Sequence, residues 1–171
     1  AKAWLSLLEA SYIIFLLQPY HRNFNKRIIK APKLYFYDTG VASSLLRIQD
    51  PAMLSGHYLV GALFENLVIS ELIKSAVHKG KRPSIWYWRE SNGREIDCII
   101  ESEGNRIDAI EIKAGQTFNT DYLKNLKSFP DLSAGNAIRK TVIYRGADST
   151  ISGNIGVLTW EDFVRKRLDD S

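Results

Sequence analysis

Two acidic residues and a lysine form the group in this chain whose types and spacing most resemble a site for chemistry. Asp97 lies in the run REIDCII (residues 94–100), and Glu111 and Lys113 lie in the run DAIEIK (residues 108–113). Two carboxylates can hold a divalent cation such as Mg²⁺, which prefers oxygen ligands and keeps waters for the substrate to exchange. A nearby ammonium group can hold a phosphate or help to position the attacking water. The pattern therefore predicts metal-assisted phosphodiester hydrolysis.

A β-hairpin is the element that would bring these side chains together. Residues 103–105, Glu-Gly-Asn, suit a three-residue loop, because Gly and Asn accept the positive φ that such loops need. The resulting register places Ser102 opposite Arg106 and Asp97 opposite Glu111, and side chains then alternate between the two faces. One face is apolar and is expected to meet the core: Ile96, Cys98, Ile100, Ile110 and Ile112. The other face is polar: Glu95, Asp97, Glu101, Glu111 and Lys113. On spacing alone, a solvated polar face remains the alternative to a metal site.

Glu65 is a third candidate acid, on an amphipathic helix predicted for residues 59–74. The polar stripe of this helix is Asn66, Ser70 and Lys74, whereas the residues three and four positions from Glu65 are apolar or small: Gly61, Ala62, Val68 and Ile69. Glu65 is therefore predicted to point toward the protein, and Gly61 would leave room for a ligand near the backbone. Burying an unpaired carboxylate is costly, so its partner should be a metal or a basic residue such as Arg89.

Together these residues resemble the signature of the PD-(D/E)xK nuclease-like superfamily, in which a helical Glu is followed by an Asp and then by Glu-x-Lys on the next strand. Here the signature is Glu65, Asp97, Glu111 and Lys113, with Ile96 in place of the proline. Over about residues 5–165 the chain is also similar to the C-terminal region of bacterial and archaeal AAA+ family ATPases, a region classed as a domain of unknown function. The segments that carry this similarity are PKLYFYDTG (32–40), GALFEN (61–66) and YWRESNGREID (87–97).

The resemblance implies an architecture as well as a site. The fold class is α/β, with a restriction-endonuclease-like mixed central sheet flanked by helices in a nuclease-like domain over residues 38–171. Residues 1–37 would be a partial winged-helix segment, with a helix at 3–11, a strand at 12–17, a polar loop at 18–25 and a strand at 27–37. The relatives carry a P-loop ATPase upstream. This chain has no Gly-x-x-x-x-Gly-Lys-Ser/Thr motif, so ATP is expected only in that upstream domain, and the chain reads as a piece of a longer protein.

The remaining elements follow from hydrophobic periodicity and turn residues. Helices are predicted at 41–46, from Asn119 or Thr120 to Ser128, and from about Trp160 to Leu168. Strands are predicted at 84–89, 141–144 and near 154–158, with a turn at 91–93 and an irregular segment at 51–57. This order indicates an α/β fold with a mixed sheet.

Composition narrows the class of protein. The 171 residues suit one domain with at most a small appendage, and 45% apolar with 25% charged residues is ordinary for a globular protein. No apolar run reaches the roughly 20 residues that a membrane helix needs, and no signal peptide pattern is present. Cys98 is the single cysteine and the three histidines are scattered, so neither an internal disulfide nor a zinc site is expected. We expect a cytoplasmic protein without a membrane partner.

The positive charge is concentrated near the N-terminus. Residues 1–37 hold six basic residues and one acidic residue, a net charge of +5, and the remaining residues sum to −1, so the whole excess of +4 comes from the N-terminal segment. The basic loop would contact the phosphates of DNA through Arg22, Lys26, Arg27 and Lys30. A solvated basic hairpin is the equally weighted alternative, because basic loops are unspecific signals.

Two functions from different classes follow. The first is a Mg²⁺- or Mn²⁺-dependent deoxyribonuclease in which Asp97, Glu111 and Glu65 hold the metal and Lys113 assists. The second is a catalytically silent DNA-binding or partner-docking module of the ATPase, since a fold does not settle function. A link between ATPase subunits in a homo-oligomer is a third interpretation.

Overall fold

The protein is an α/β protein, and its computed structural model describes residues 2–20, 31–102, 104, 106–129 and 138–169. By their contacts the described residues fall into two compact units. The N-terminal unit comprises residues 2–19 and 31–83, and the C-terminal unit comprises Tyr20 and residues 84–169. The predicted domain boundary after residue 37 stays a prediction. Among the described residues no helix is long and apolar enough to cross a membrane.

The N-terminal unit contains four helices and a two-stranded sheet in its described part. In chain order these are α1 (Lys2–Ala10), β1 (Ile14–Leu17), β2 (Lys33–Phe36), α2 (Thr39–Leu45), α3 (Pro51–Gly56) and α4 (Val60–His78). The strands β1 and β2 pair antiparallel, from Ile14 opposite Phe36 to Leu17 opposite Lys33. The irregular segment predicted at 51–57 is wrong. Helix α3 begins there because Pro51 suits the first helical position and Asp50 accepts a hydrogen bond from the Met53 N–H at 2.8 Å.

Helix α4 turns part of its predicted polar stripe into the protein and not toward water. Asn66 and Ser70 are both buried. The Asn66 amide accepts a hydrogen bond from the Phe36 N–H at 2.7 Å and donates one to the Phe36 carbonyl at 2.8 Å. It thereby satisfies backbone groups of β2 as a neighbouring strand would. Asn66 therefore fixes α4 against β2.

The C-terminal unit is built on a six-stranded mixed sheet. Its elements are β3 (Ile85–Arg89), β4 (Glu95–Ser102), β5 (Arg106–Lys113), a 3₁₀ turn (Thr120–Leu123), α5 (Lys124–Ser128), β6 (Ile138–Tyr144), β7 (Thr150–Ser152), β8 (Ile155–Thr159) and α6 (Trp160–Asp169). The strand order is β3-β4-β5-β6-β8-β7. The pairs β3–β4, β4–β5 and β7–β8 are antiparallel, and β5–β6 and β6–β8 are parallel. The mixed sheet predicted from the sequence is therefore present, with helices against it.

The predicted register of the β4–β5 hairpin is confirmed. Ser102 lies opposite Arg106 and Cys98 lies opposite Ile110. Gly104 in the loop has a φ of 74°, a conformation that glycine adopts without steric cost. The second predicted turn, near Gly93, is also present, and there the φ is 90°.

The solvated polar face that the sequence left open as an alternative is not what the structure shows for most of this hairpin. Both strands are buried on both faces over most of their length, with Ile99 and Ala109 at 0% exposure on the side that carries the acids. The 3₁₀ turn and α5 supply the cover, because Leu123, Leu126 and Phe129 pack against that side with Val142 and Val157. Asn119 caps the turn as predicted, accepting a hydrogen bond from the Asp121 N–H. Glu111, which is 2% exposed on this face, is therefore held in a mostly dry environment.

Candidate functional site

Asp97 lies near the start of β4 and is directed at the neighbouring strand. The residue is 8% exposed, and its Oδ2 accepts a hydrogen bond from the backbone N–H of Ile112 at 2.8 Å. The paired register between β4 and β5 extends only as far as Cys98 and Ile110. The carboxylate thus satisfies a backbone donor of β5 just beyond the paired residues. This contact places Asp97 beside the segment that carries Glu111.

Glu111 lies in the middle of the sheet, on β5 between β4 and β6, with Val142 opposite on β6. It is 2% exposed. Its Oε1 accepts hydrogen bonds from Lys113 Nζ at 2.6 Å and from Asn125 Nδ2 at 3.0 Å. Its Oε2 is buried and has no hydrogen-bond partner among the residues that the structure describes. Most buried polar atoms are satisfied, so this oxygen marks a place where a partner is to be expected.

The electrostatics of Glu111 reflect this imbalance. Burial raises the pKa of the Glu111 carboxyl, and the Lys113 ammonium and the Asn125 amide only partly oppose that rise. The negative charge of Glu95 raises the pKa further. The ionised form of Glu111 is therefore under-stabilised by its protein surroundings.

Lys113 is the most accessible of the three predicted residues on the hairpin, with a side chain 32% exposed. Its ammonium is ion-paired with Glu111, two residues earlier on the same strand and hence on the same face. The ion pair between Lys113 and Glu111, which the sequence allowed as an alternative to a metal site, is present. The ammonium contacts Oε1 of the Glu111 carboxylate and leaves Oε2 without a hydrogen bond among the described residues.

Glu95 was placed on the polar face by the sequence analysis but not chosen as a site residue. One of its carboxylate oxygens lies within 4.8 Å of one of Asp97. Arg89 donates from Nε to Glu95. The spacing of Glu95 and Asp97 on one strand could have indicated this proximity.

Asn125 was missed altogether. It comes from α5, which has only five residues. A helix this short shows no periodicity that would reveal which residue faces the sheet, and the partner, Glu111, is on a strand that precedes the helix. No signal in the sequence pointed to it.

Glu65 belongs to the N-terminal unit and is described within it. Its side chain is 22% exposed, and Oε1 accepts hydrogen bonds from Lys33 Nζ at 2.8 Å and from the Tyr35 hydroxyl at 2.5 Å. The basic partner that the sequence analysis allowed for is therefore found in Lys33. Gly61 is exposed, and a Cβ added there would meet nothing within 4 Å. The basic residues proposed for DNA contact, Arg22, Lys26, Arg27 and Lys30, lie outside the described residues.

The donor set of the C-terminal unit is suited to a hard divalent cation. Asp97 and Glu95 offer carboxylate oxygens within 4.8 Å of each other, and Glu111 lies on the strand adjacent to that of Asp97. Oxygen ligands of this kind favour Mg²⁺ or Mn²⁺ over softer metals. The buried, unpartnered Oε2 of Glu111 is the atom that such a cation would satisfy.

Comparison with known proteins identifies two relatives and two matching family models. The chain is 32% identical over 117 residues to "Uncharacterized protein Mb2031c" of Mycobacterium bovis and, to the same degree, to "Uncharacterized protein Rv2008c" of Mycobacterium tuberculosis. The match covers 68% of this chain and 25% of each relative, so the chain spans about a quarter of their length. No solved structure matches. Residues 1–52 match the model of a second domain of unknown function, DUF8612. Residues 60–163, which include Glu65 and the whole of the β4–β5 hairpin, match the model described as domain of unknown function DUF4143, and the chain belongs to that family.

Proposed function

We propose that this chain is a nuclease-like domain whose C-terminal unit holds Mg²⁺ or Mn²⁺ and hydrolyses phosphodiester bonds of DNA. The single observation that carries the proposal is the Oε2 atom of Glu111, a buried carboxylate oxygen without a partner among the described residues. An ionised group in such a position is costly unless it is paired or coordinates a metal. Asp97 on the adjacent strand supplies a second carboxylate for the same cation.

Neighbouring donors hold the two carboxylates of the proposed site in place. Asn125 and Lys113 both bind Oε1 of Glu111, so they fix the carboxylate and direct Oε2 away from themselves. The Ile112 N–H fixes Asp97 in the same way through Oδ2. When bound, the cation would lower the pKa of a coordinated water and offset charge that develops on the phosphate. Lys113, a third exposed, can hold a phosphate oxygen of the substrate beside Glu111.

The broader context is part of the same proposal. We assign the mixed sheet to the restriction-endonuclease-like fold and residues 1–37 to the end of a winged helix, in a longer AAA+ family ATPase that supplies the ATP site. DNA would be held in part by Arg22, Lys26, Arg27 and Lys30. Glu65 would contribute to metal binding, directly or through water.

A nuclease assay with the purified chain tests the proposal. Linear, branched and single-stranded DNA are incubated with Mg²⁺, with Mn²⁺ or with EDTA. We expect metal-dependent cleavage that falls by about a hundredfold or more in Asp97→Asn and Lys113→Met, the scale of loss when a charge-stabilising group is removed. Glu65→Gln tests its role in the same assay.

Asp108→Asn provides the matched control. Asp108 is also a buried carboxylate on β5, but it faces the other side of the sheet and is paired with Arg139. Its variant should cut DNA at the rate of the unmodified protein. Equal activity in Asp97→Asn and the unmodified protein would show that the cleavage arises elsewhere and would refute the assignment.

One observation favours a catalytically silent module as the second candidate. The Lys113 ammonium already lies 2.6 Å from Glu111, which stabilises part of the site without any metal. For a silent module, calorimetric titration with Mn²⁺ should give no heat while DNA binding is retained. Metal-dependent DNA cleavage that Asp97→Asn abolishes would exclude this candidate.

A further inference from the structure

The C-terminal unit has an open cavity on the side of the sheet opposite to Glu111. Its volume is about 320 Å³, and its walls come from β5, β6, β7, β8 and α6. Asp108 and Ile110 line it, and they alternate along β5 with Ala109 and Glu111, which face the other side. A water occupies roughly 30 Å³ in the liquid, so the cavity has room for about ten water-sized groups. This is the lower end of the range for small-molecule sites.

Gly156 gives the cavity its depth. The residue lies in the middle of β8, and its backbone is outside the left-handed region that favours glycine. A Cβ at this position would make only ordinary contacts, with the Lys140 carbonyl oxygen at 3.9 Å and Thr141 Oγ1 at 4.0 Å. Neither backbone conformation nor crowding therefore requires glycine here, although glycine weakens a strand interior. What the missing side chain provides is space.

The walls near Gly156 are apolar and incompletely covered. Along β8, Ile155, Val157 and Thr159 are buried, whereas Gly156 and Leu158 on the cavity side are only half-buried. Ile151 lies directly opposite Gly156 on the edge strand β7 and is 77% exposed. Phe163 of α6 closes one side. An apolar ring-sized group would bury this surface.

The other end of the cavity is polar with a net positive charge. Arg139 forms two hydrogen bonds of 2.8 Å with Asp108, which offsets the one carboxylate among the lining residues. Lys166 of α6 adds an ammonium group, so the charged lining residues with side chains on this face sum to one positive charge. The amide of Asn154 supplies hydrogen-bonding groups, and the Thr141 hydroxyl lies beside Gly156. One anionic group on a ligand would complement this end.

We propose that this cavity binds a small organic anion that has an apolar, ring-sized body and one negatively charged group. The body lies over Gly156 between Ile151 and Phe163, and the charged group lies toward Lys166. This site is independent of the proposed metal site, because the two occupy opposite faces of the sheet. A ligand here would therefore bind whether or not the hairpin carboxylates hold a metal.

Fluorescence titration with two matched probes tests the proposal. The first probe is 1-anilinonaphthalene-8-sulfonate, and the second is N-phenyl-1-naphthylamine, which has the same rings and lacks the sulfonate. We expect the folded chain to bind the sulfonate probe at least fivefold more tightly than the neutral one. Gly156→Leu fills the floor and should weaken both probes at least tenfold. Lys166→Gln should remove the preference for the anion, whereas Lys124→Gln, an exposed lysine on α5, should leave it unchanged.

Two outcomes would overturn the proposal. Binding that is unchanged by Gly156→Leu would place the probes elsewhere on the chain, and equal affinity for the two probes would refute the anionic class of ligand. Gly156→Ala guards against misfolding, because one methyl group makes only ordinary contacts there. This variant should melt at or above the temperature of the unmodified protein and weaken the sulfonate probe by a smaller factor than Gly156→Leu. A melting curve like that of the unmodified protein with no loss of affinity in either variant would count against the site.

Discussion

The buried carboxyl of Glu111 should make the stability of the metal-free protein fall as pH rises. Burial raises the pKa of Glu111 above its ordinary value of 4.5. In the pH window between that value and the folded-state pKa, the folded chain keeps a proton that the unfolded chain has lost. Because stability changes with pH in proportion to the protons bound by the unfolded state minus those bound by the folded state, the contribution of Glu111 is negative in this window. Its stabilising effect is complete below pH 4.5 and is lost as pH rises through the folded-state pKa.

The size of the effect follows from one proton on one group. A single site changes the free energy of unfolding by at most about 1.4 kcal/mol per pH unit. Glu111 is 2% exposed, so solvent screening does little to reduce its contribution. A divalent cation binds the deprotonated carboxylate and should therefore reverse the trend. At a cation concentration of about 100 times Kd, the folded state gains about 2.7 kcal/mol.

Urea denaturation at a series of pH values from 4.5 to 8 measures both effects. The unmodified protein and Glu111→Gln are compared in EDTA and in Mn²⁺, and the difference between the two proteins isolates Glu111 from every other titrating group. In EDTA the unmodified protein should lose stability with pH relative to Glu111→Gln, and in Mn²⁺ it should gain. Parallel pH profiles for the two proteins in EDTA would refute the reasoning that Glu111 is an under-stabilised buried acid.

Three further predictions concern packing and turn conformation within the individual units, and urea denaturation measures each of them. Asn66→Ala should lower the free energy of unfolding by about 2 kcal/mol, because it removes the hydrogen bonds that the Asn66 amide makes to the N–H and carbonyl of Phe36. A loss below about 0.5 kcal/mol would show that these two hydrogen bonds do not stabilise the contact between α4 and β2. Leu126→Ala should lower the free energy of unfolding by about 2–5 kcal/mol, since the Leu126 side chain on α5 is 0% exposed. Lys127→Ala, at the exposed neighbouring position, is the control and should leave the free energy of unfolding nearly unchanged. Gly93→Ala should lower the free energy of unfolding by about 1–3 kcal/mol, because alanine is strained at the φ of 90° that Gly93 adopts. An unchanged urea midpoint would contradict this prediction and would mean that the turn takes up another conformation.

The local parts of the fold were predictable because local chemistry determines them. The position of the loop at Gly104 determined the predicted register of β4 and β5. A register shifted by one residue would have placed every side chain of a strand on the opposite face of the sheet. The cap at Asn119 follows from the same kind of local rule. Helix α3 was missed because a six-residue helix shows too little periodicity, although Asp50 and Pro51 are ordinary start signals. The three-residue strand β7 was missed for the same reason of length.

Burial at the candidate site could not be read from the hairpin alone. Alternation distinguishes the two faces of a strand, but it does not say what covers each face. The face of β5 that carries Glu111 is covered by Leu123 and Leu126, which follow the hairpin in the chain and pack with Ala109, and Val142 lies beside Glu111 on β6. Whether Oε2 of Glu111 lacks a hydrogen-bond partner depends on which donors bind the other oxygen, Oε1. One of those donors is Asn125, and only the folded structure shows that it lies beside Glu111.

The strand order also has a consequence for how the chain folds. Strands β3, β4 and β5 form a meander joined by short turns, whereas residues 114–137 separate β5 from β6. Contacts between residues close in sequence form sooner than distant ones, because less loop entropy opposes them. We therefore expect the meander to form first, with Asp97 and Glu111 still in water. The desolvation of Glu111 then falls on the later step in which β6 and α5 dock. Burial of the Glu111 carboxylate would in this way slow the docking of the parallel strands β6 and β8. Glu111→Gln should therefore fold faster than the unmodified chain.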